Sequence, residues 1–433
     1  MHHPRLVVCL VGDAVNGQLC ESQFVDRPFL PGGEHNLYEL AFAAAALGHE
    51  VELRGCLHRG SFDRLRGAVG VAPVVDLPAR PPDRRDVVVI PEGWRNPTEY
   101  GRMMLAGVPV AIFLLAPSGL FGWSFAREWS LPDPLTVELD AVARPEHFRA
   151  MWELGFTLLT HSPALAQAVD ESGVPCHFIG VGRPDPAPHR GAPPHHDVVG
   201  LLANRWAPLV REVAAALDGY RVDLVPEVSN EEIGRRLAAA RVLLWPSRIE
   251  GHATIPWEAR RVGCVPVALA SNRFAVGLTP DAGAVAVERL DQLAPEIHGL
   301  LADEPRWQKL SERARVAAAE ESDWSRYLER VGAFLTGFGQ RHAAHDAAGT
   351  VGSALLRSAA STAASAQARL EEIELERHRV TLDRDRLRGE LVASQEDRDR
   401  LAAELESLRN RRSVRLALHV ANGLSRRREP AGR

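Results

Sequence analysis

The chain has 433 residues, 45% of them hydrophobic and 25% charged, with a formal net charge of −5 at pH 7. That length exceeds one ordinary core, because domains run to roughly 100–200 residues, so two domains plus extras are expected. A mildly acidic balance excludes a general attraction to nucleic acid, and no apolar run approaches the ~20 residues that span a bilayer. From the N-terminus, His2-His3-Pro4-Arg5 leads into a strand that ends at Gly12, not into a cleavable apolar segment. Five scattered cysteines (Cys9, Cys20, Cys56, Cys176 and Cys264), most beside apolar runs, read as reduced, buried thiols, so the expected location is the cytoplasm.

Residues 1–182 alternate apolar strands with helical stretches, the mark of a parallel sheet with crossover helices. The expected strands are Leu6–Val11, Glu50–Leu53, Asp86–Ile90, Val108–Leu115, Thr157–Thr160 and His177–Val181. Between the first two, Pro31-Gly32-Gly33 leads into a helix over Glu34–Leu47, with Leu37, Leu40, Ala41, Ala44 and Leu47 at helical spacing and Gly48 as the stop. Residues 183–197 hold five prolines and read as an extended linker in which His195-His196 is flexible. A second alternating block, 198–322, carries strands at Val198–Ala203, Arg221–Val225, Val242–Trp245, Val265–Ala270 and Ala284–Val287. Two Rossmann-like units joined by a hinge place a ligand in the cleft at the strands' carboxyl ends.

The stretch Arg241–Ala270 carries the most chemistry. The strand Val242–Trp245 is followed by a polar loop holding Glu250 and then by a helix opened by Pro256, with Glu258 eight positions beyond Glu250. A carboxylate and a helix N-terminus, with its free N–H groups, are aimed at one crevice, which suits a ligand bearing both hydroxyls and phosphates. Pro246-Ser247, Glu250-Gly251, Pro256, Glu258-Ala259, Gly263 and Pro266-Val267 together resemble the donor signature of family-4 glycosyltransferases, which have the GT-B fold. The resemblance spans roughly residues 6–335 and is strongest over 241–270. It implies an α/β protein of two Rossmann-like domains: an acceptor-side domain at 1–182 and a nucleotide-sugar donor domain at 198–322. A helix at 323–339 would cross back to the first domain, and Trp307–Leu335 is placed for that role.

By the same resemblance, the activity is transfer of a hexose-like sugar from a nucleotide diphosphate to a hydroxyl of a glycan or lipid-linked acceptor, with retention. No metal and no cofactor beyond the donor substrate is implied. Glu250 would hold the sugar, Glu258 the ribose, and the amides of Ala253, Thr254 and Ile255 would face the diphosphate. The Gly32-Gly33 loop would approach the same group, and Arg205 would pair with it. The family's lysine after that arginine is absent, and Arg211 is the nearest cation. His252 stands where the family is often aromatic, and Ala253 where it has glycine. The family's histidine after a middle strand is not found in residues 111–122. Glu92, after the strand Asp86–Ile90, is an additional candidate for contact with substrate, while Trp94, Trp123 and Trp129 read as core. A degenerate transferase acting as a scaffold, and a sugar-nucleotide epimerase of the same architecture, remain the alternatives.

Beyond an Ala/Ser-rich tether at 340–365, heptads run through 366–412: Ala366, Ile373, Val380, Leu387, Ser394, Leu401 and Leu408 recur every seventh residue. The companion seam holds Leu370, Leu391 and Leu405 but is interrupted by Arg377, Arg384 and Arg398. An imperfect coiled-coil homodimer is expected. The tail 413–433 is basic, with Arg415 and Arg426–Arg428, and suits peripheral contact with an anionic membrane at its inner face or with acidic partners. His342, His345 and Asp346 lie in the tether without a pocket and are read as solvated, not as a metal site.

Overall fold

The computed structural model describes residues 5–10, 23–25, 32–75, 82–91, 107–115, 145–153, 155–184, 195–202, 206–247, 254–272, 275 and 277–341, with scattered positions between 398 and 420. Residues 1–368 form one compact unit and residues 369–433 another. In the first unit, six strands, β1 (Leu6–Cys9), β3 (Val51–Arg54), β5 (Val87–Pro91), β6 (Val110–Leu114), β7 (Thr157–Thr160) and β8 (Cys176–Phe178), build a parallel sheet ordered β3-β1-β5-β6-β7-β8. Two short strands not foreseen from sequence, β2 (Gln23–Val25) and β4 (Cys56–His58), pair beside it.

Strand alternation decides which face each residue covers. Leu6, Val8 and Leu10 face the helices α1 (Gly32–Ala46) and α2 (Arg59–Val69), whereas Val7 and Cys9 face α3 (Pro145–Glu153) and α4 (Pro163–Glu171). A buried ion network lies where the strands begin. Arg5 holds Asp86 through Nε and Nη2 at 3.2 and 2.7 Å and Glu52 at 2.7 Å, and Arg54 holds Glu52 at 2.6 Å.

The second sheet is also parallel and runs β10-β9-β11-β12-β13. Its strands are β9 (His196–Leu201), β10 (Val222–Val225), β11 (Ala240–Trp245), β12 (Val265–Leu269) and β13 (Val285–Val287). Val198, Val242, Leu244 and Val267 face α5 (Ala207–Ala215) and α8 (Leu293–Ala302). Val199, Leu243 and Ala268 face α6 (Asn230–Ala238) and α7 (Thr254–Arg261). In both sheets the order reverses beside the first strand, between β1 and β5 and between β9 and β11, which is where open α/β sheets leave a crevice.

Several sequence expectations change. Gly32 and Gly33 belong to the first turn of α1, not to a loop before it. His195 and His196 are ordered: both amides bond to Ala239 O at 3.0 Å, and His196 opens β9. The proline count of 183–197 concealed that its last residues begin an inner strand of the second sheet. The expected single crossing element Trp307–Leu335 is two helices. Trp307 belongs to α9 (Glu304–Glu321), packs on the second core and donates from Nε1 to Arg241 O at 3.0 Å. The helix α10 (Trp324–Arg341) then lays Tyr327, Val331, Phe334, Leu335 and Phe338 into the first core.

Cys9 and Cys264 are buried free thiols, and Cys56 and Cys176 are half-buried free thiols; Cys20 lies outside the described residues. Burial, with the Asp170 carboxylate adding to it, pushes the Cys176 thiol up to about 12. The thiolate is the reactive form, so Cys176 should resist N-ethylmaleimide at pH 8 in the native protein and react once denatured. Peptide mass mapping reads this directly; rapid native labelling would refute it. In the second unit the described residues between Arg398 and Val420 are helical and exposed, Leu401, Leu416 and Val420 among them. Among the described residues no helix is long and apolar enough to cross a membrane, and no three His, Cys, Asp or Glu side chains group to hold a metal.

Candidate functional site

The candidate site is assembled from the carboxyl ends of β9, β11 and β12 and the start of α7. β11 runs out through Pro246 to the buried Ser247, and α7 begins at Thr254. The helix therefore starts two residues before the expected Pro256. That proline occupies the third helical position, still within the turn whose N–H groups have no partner in the helix. Thr254 and Ile255 thus contribute first-turn amides. Thr254 and Glu258 are four residues apart and share one helical face. The Thr254 hydroxyl is buried and has no hydrogen-bond partner; Glu258 is half-buried.

No acidic residue lies in the first turn of α7, and Arg260 and Arg261 close its last turn, so the dipole's positive end is left for an outside anion. α1 differs. Its first turn holds the buried Glu34, whose carboxylate occupies the role an anion would take there. This contrast leaves the first turn of α7, not that of α1, suited to an outside anion. Gly33 instead serves close packing: a Cβ there would sit 3.2 Å from the Leu115 side chain at the end of β6. One turn further, Asn36 is buried with neither side-chain amide atom hydrogen-bonded. α1 and α7 touch, so the two helices from different domains meet at this place.

Asn272, after β12, donates from Nδ2 to Ser247 O at 2.6 Å, while its Oδ1 is buried and has no partner. Sequence reading missed it. Its position just past the carboxyl end of an apolar strand is the available signal. Buried polar atoms left without partners cost about 1–3 kcal/mol each, so Asn272 Oδ1 at the end of β12 and the Thr254 hydroxyl are acceptor and donor groups available to a ligand.

Arg211 is exposed on α5, which packs on β9 and α8, and so stands on solvent. Arg205, Glu250, His252 and Ala253 fall on the two loops that leave the β9–β11 reversal, and these loops lie outside the described residues, as do Glu92, Trp94, Trp123 and Trp129.

No family model and no curated protein matches the chain. Solved structures do. Sucrose-phosphate synthase from Thermosynechococcus elongatus superposes with a TM-score of 0.51 at 13% identity, covering 77% of this chain and 98% of that one. Anabaena HepE in complex with UDP-glucose gives a TM-score of 0.51 at 12% identity, covering 77% of this chain and all of that one (100%). At such identities the likeness is one of fold.

Proposed function

We propose, from the premise that this chain has the GT-B fold of two parallel-sheet α/β domains, that it is a glycosyltransferase using a nucleotide diphosphate sugar. The acceptor is a hydroxyl of a glycan or of a lipid-linked sugar. The observation that carries the reading is the start of α7: a first turn without an acidic residue, a buried Thr254 hydroxyl with no hydrogen-bond partner among the described residues, and Glu258 one turn on along the same face. HepE, which shares the fold, binds UDP-glucose, the class of ligand such a site suits.

The bond between the sugar's anomeric carbon and the β-phosphate oxygen breaks as the acceptor oxygen bonds to that carbon. The acceptor's proton leaves with the departing phosphate. Negative charge grows on the diphosphate, and the amides of Ala253, Thr254 and Ile255, with Arg205, stabilise it. Glu258 accepts hydrogen bonds from the ribose, and Glu250 orients the sugar. Attack on the face that the leaving group vacates retains the configuration, and the charge is met by amides and arginine without a metal.

Calorimetric titration with UDP, GDP, TDP and ADP tests this. Selective micromolar binding of one is expected. Binding of none would overturn the donor site and leave the scaffold reading. The same protein is taken to be a homodimer through heptads 366–412, in which Leu401, exposed in the single chain, meets its copy. Deleting residues 369–412 should then halve the molar mass seen by light scattering. An unchanged mass would refute the coiled-coil dimer.

A further inference from the structure

We propose that Arg183 is the positioning residue of the candidate site, a buried clamp that fixes the start of α1 against α7 from the point where the chain crosses between domains. The inference rests on the donor-site reading above for its functional meaning. Residue 183 stands at the head of the proline-rich segment, yet its side chain is 2% exposed. Its Nη1 pairs with Glu39 and lies 3.1 Å from His35 Nδ1, both on α1. A guanidinium only donates, so that histidine nitrogen accepts and carries no proton. The cation also lies over the Trp257 ring of α7, 4.7 Å from its centroid. One side chain thus touches a helix of each domain, α1 of the first and the site-bearing α7 of the second.

The backbone beside it joins the two crossings. Arg183 N donates to Ser322 O at 3.1 Å, at the break between α9 and α10. Gly182 lies flat on Tyr327 of α10, where a Cβ would come within 2.3 Å of the ring. Arg260, further along α7 and fully buried, pairs with Glu321 at the end of α9. α7 is therefore tied to both crossings, by Trp257 to the first and by Arg260 to the second.

Stability alone does not explain the choice of residue. A buried ion pair is often no more stabilising than apolar groups of similar volume, and two of the Arg183 nitrogens, Nε and Nη2, have no hydrogen-bond partner. What the arginine supplies, and an aliphatic residue does not, is one nitrogen, Nη1, that meets both Glu39 and His35 of α1 and a planar cation that lies over Trp257. Those contacts define one arrangement of α1 against α7, the helix whose N-terminal turn carries the candidate site.

The test is the double variant Arg183→Met/Glu39→Leu, which removes both charges and leaves neither unpaired. Hydrogen exchange of the full-length protein should accelerate at least ~10-fold in peptides covering 35–39 and 255–261, while peptides from β5 and β12 keep wild-type rates. The affinity for whichever nucleoside diphosphate the wild type binds should fall at least ~10-fold. Unchanged exchange at both helices, or equal acceleration throughout, would overturn the clamp. Accelerated exchange with undiminished nucleotide affinity would overturn its link to the site. If the wild type bound no nucleotide, the donor reading would fall and the link with it, while exchange would still decide the clamp. Should the double variant not fold, Arg183→Lys, which keeps a cation opposite Glu39 but loses the planar guanidinium over Trp257, is read the same way.

Discussion

Glu258→Ala should weaken binding of the preferred nucleoside diphosphate by roughly 10- to 100-fold. The estimate follows from hydrogen bonds to a charged group, worth about 1.5–3 kcal/mol, with each 1.4 kcal/mol a factor of ten. Glu258 is half-buried on a helix whose core contacts are made by Trp257 and Ala259, so truncation leaves the fold standing. Unchanged circular dichroism is the control. Glu250→Ala should behave differently, because its role concerns the sugar: affinity for the bare diphosphate should stay within about threefold while transfer from the intact donor collapses. Equal Kd values for wild type and Glu258→Ala would remove that carboxylate from the site.

Arg5→Ala should cost the first domain about 3–5 kcal/mol, because it takes the bidentate guanidinium away from the buried Asp86, to which the Asp83 amide at 2.8 Å supplies no counter-charge. Glu52 keeps Arg54 and is affected less. Native-state exchange of the β1 and β5 amides should show the loss. Combining Arg5→Ala with Asp86→Ala should cost far less than the two single losses added, since the double variant leaves no unpaired charge. Additive losses would mean the pair does not act as a unit.

Much of the architecture was legible because both sheets are parallel and doubly covered, which writes each strand as a short apolar run between helical stretches. All eleven expected strands are present, with ends shifted by at most three residues. The start of α7 was misjudged because a proline marks a first turn but not which position in it. Arg183 was hidden for another reason. Composition identifies a linker from its neighbours, whereas this residue's partners, Glu39 and Trp257, are remote in sequence and invisible to any local window. The burial of Glu34 in the first turn of α1 was equally invisible to a local window. The contrast between α1 and α7 is written in first-turn charge, which was readable once both helix starts were known.

The helix that completes the first core is made only after the whole second domain. Tyr327, Val331, Phe334, Leu335 and Phe338 fill a core whose strands begin at Leu6. On a ribosome adding about 5–20 residues per second, the first domain waits on the order of ten seconds with that groove open while the second is synthesised. It cannot fold and be released as an independent unit in order of translation. A nascent chain arrested before residue 324 should therefore present an apolar surface to chaperones, and one extended beyond 341, with enough chain to clear the exit tunnel, should not.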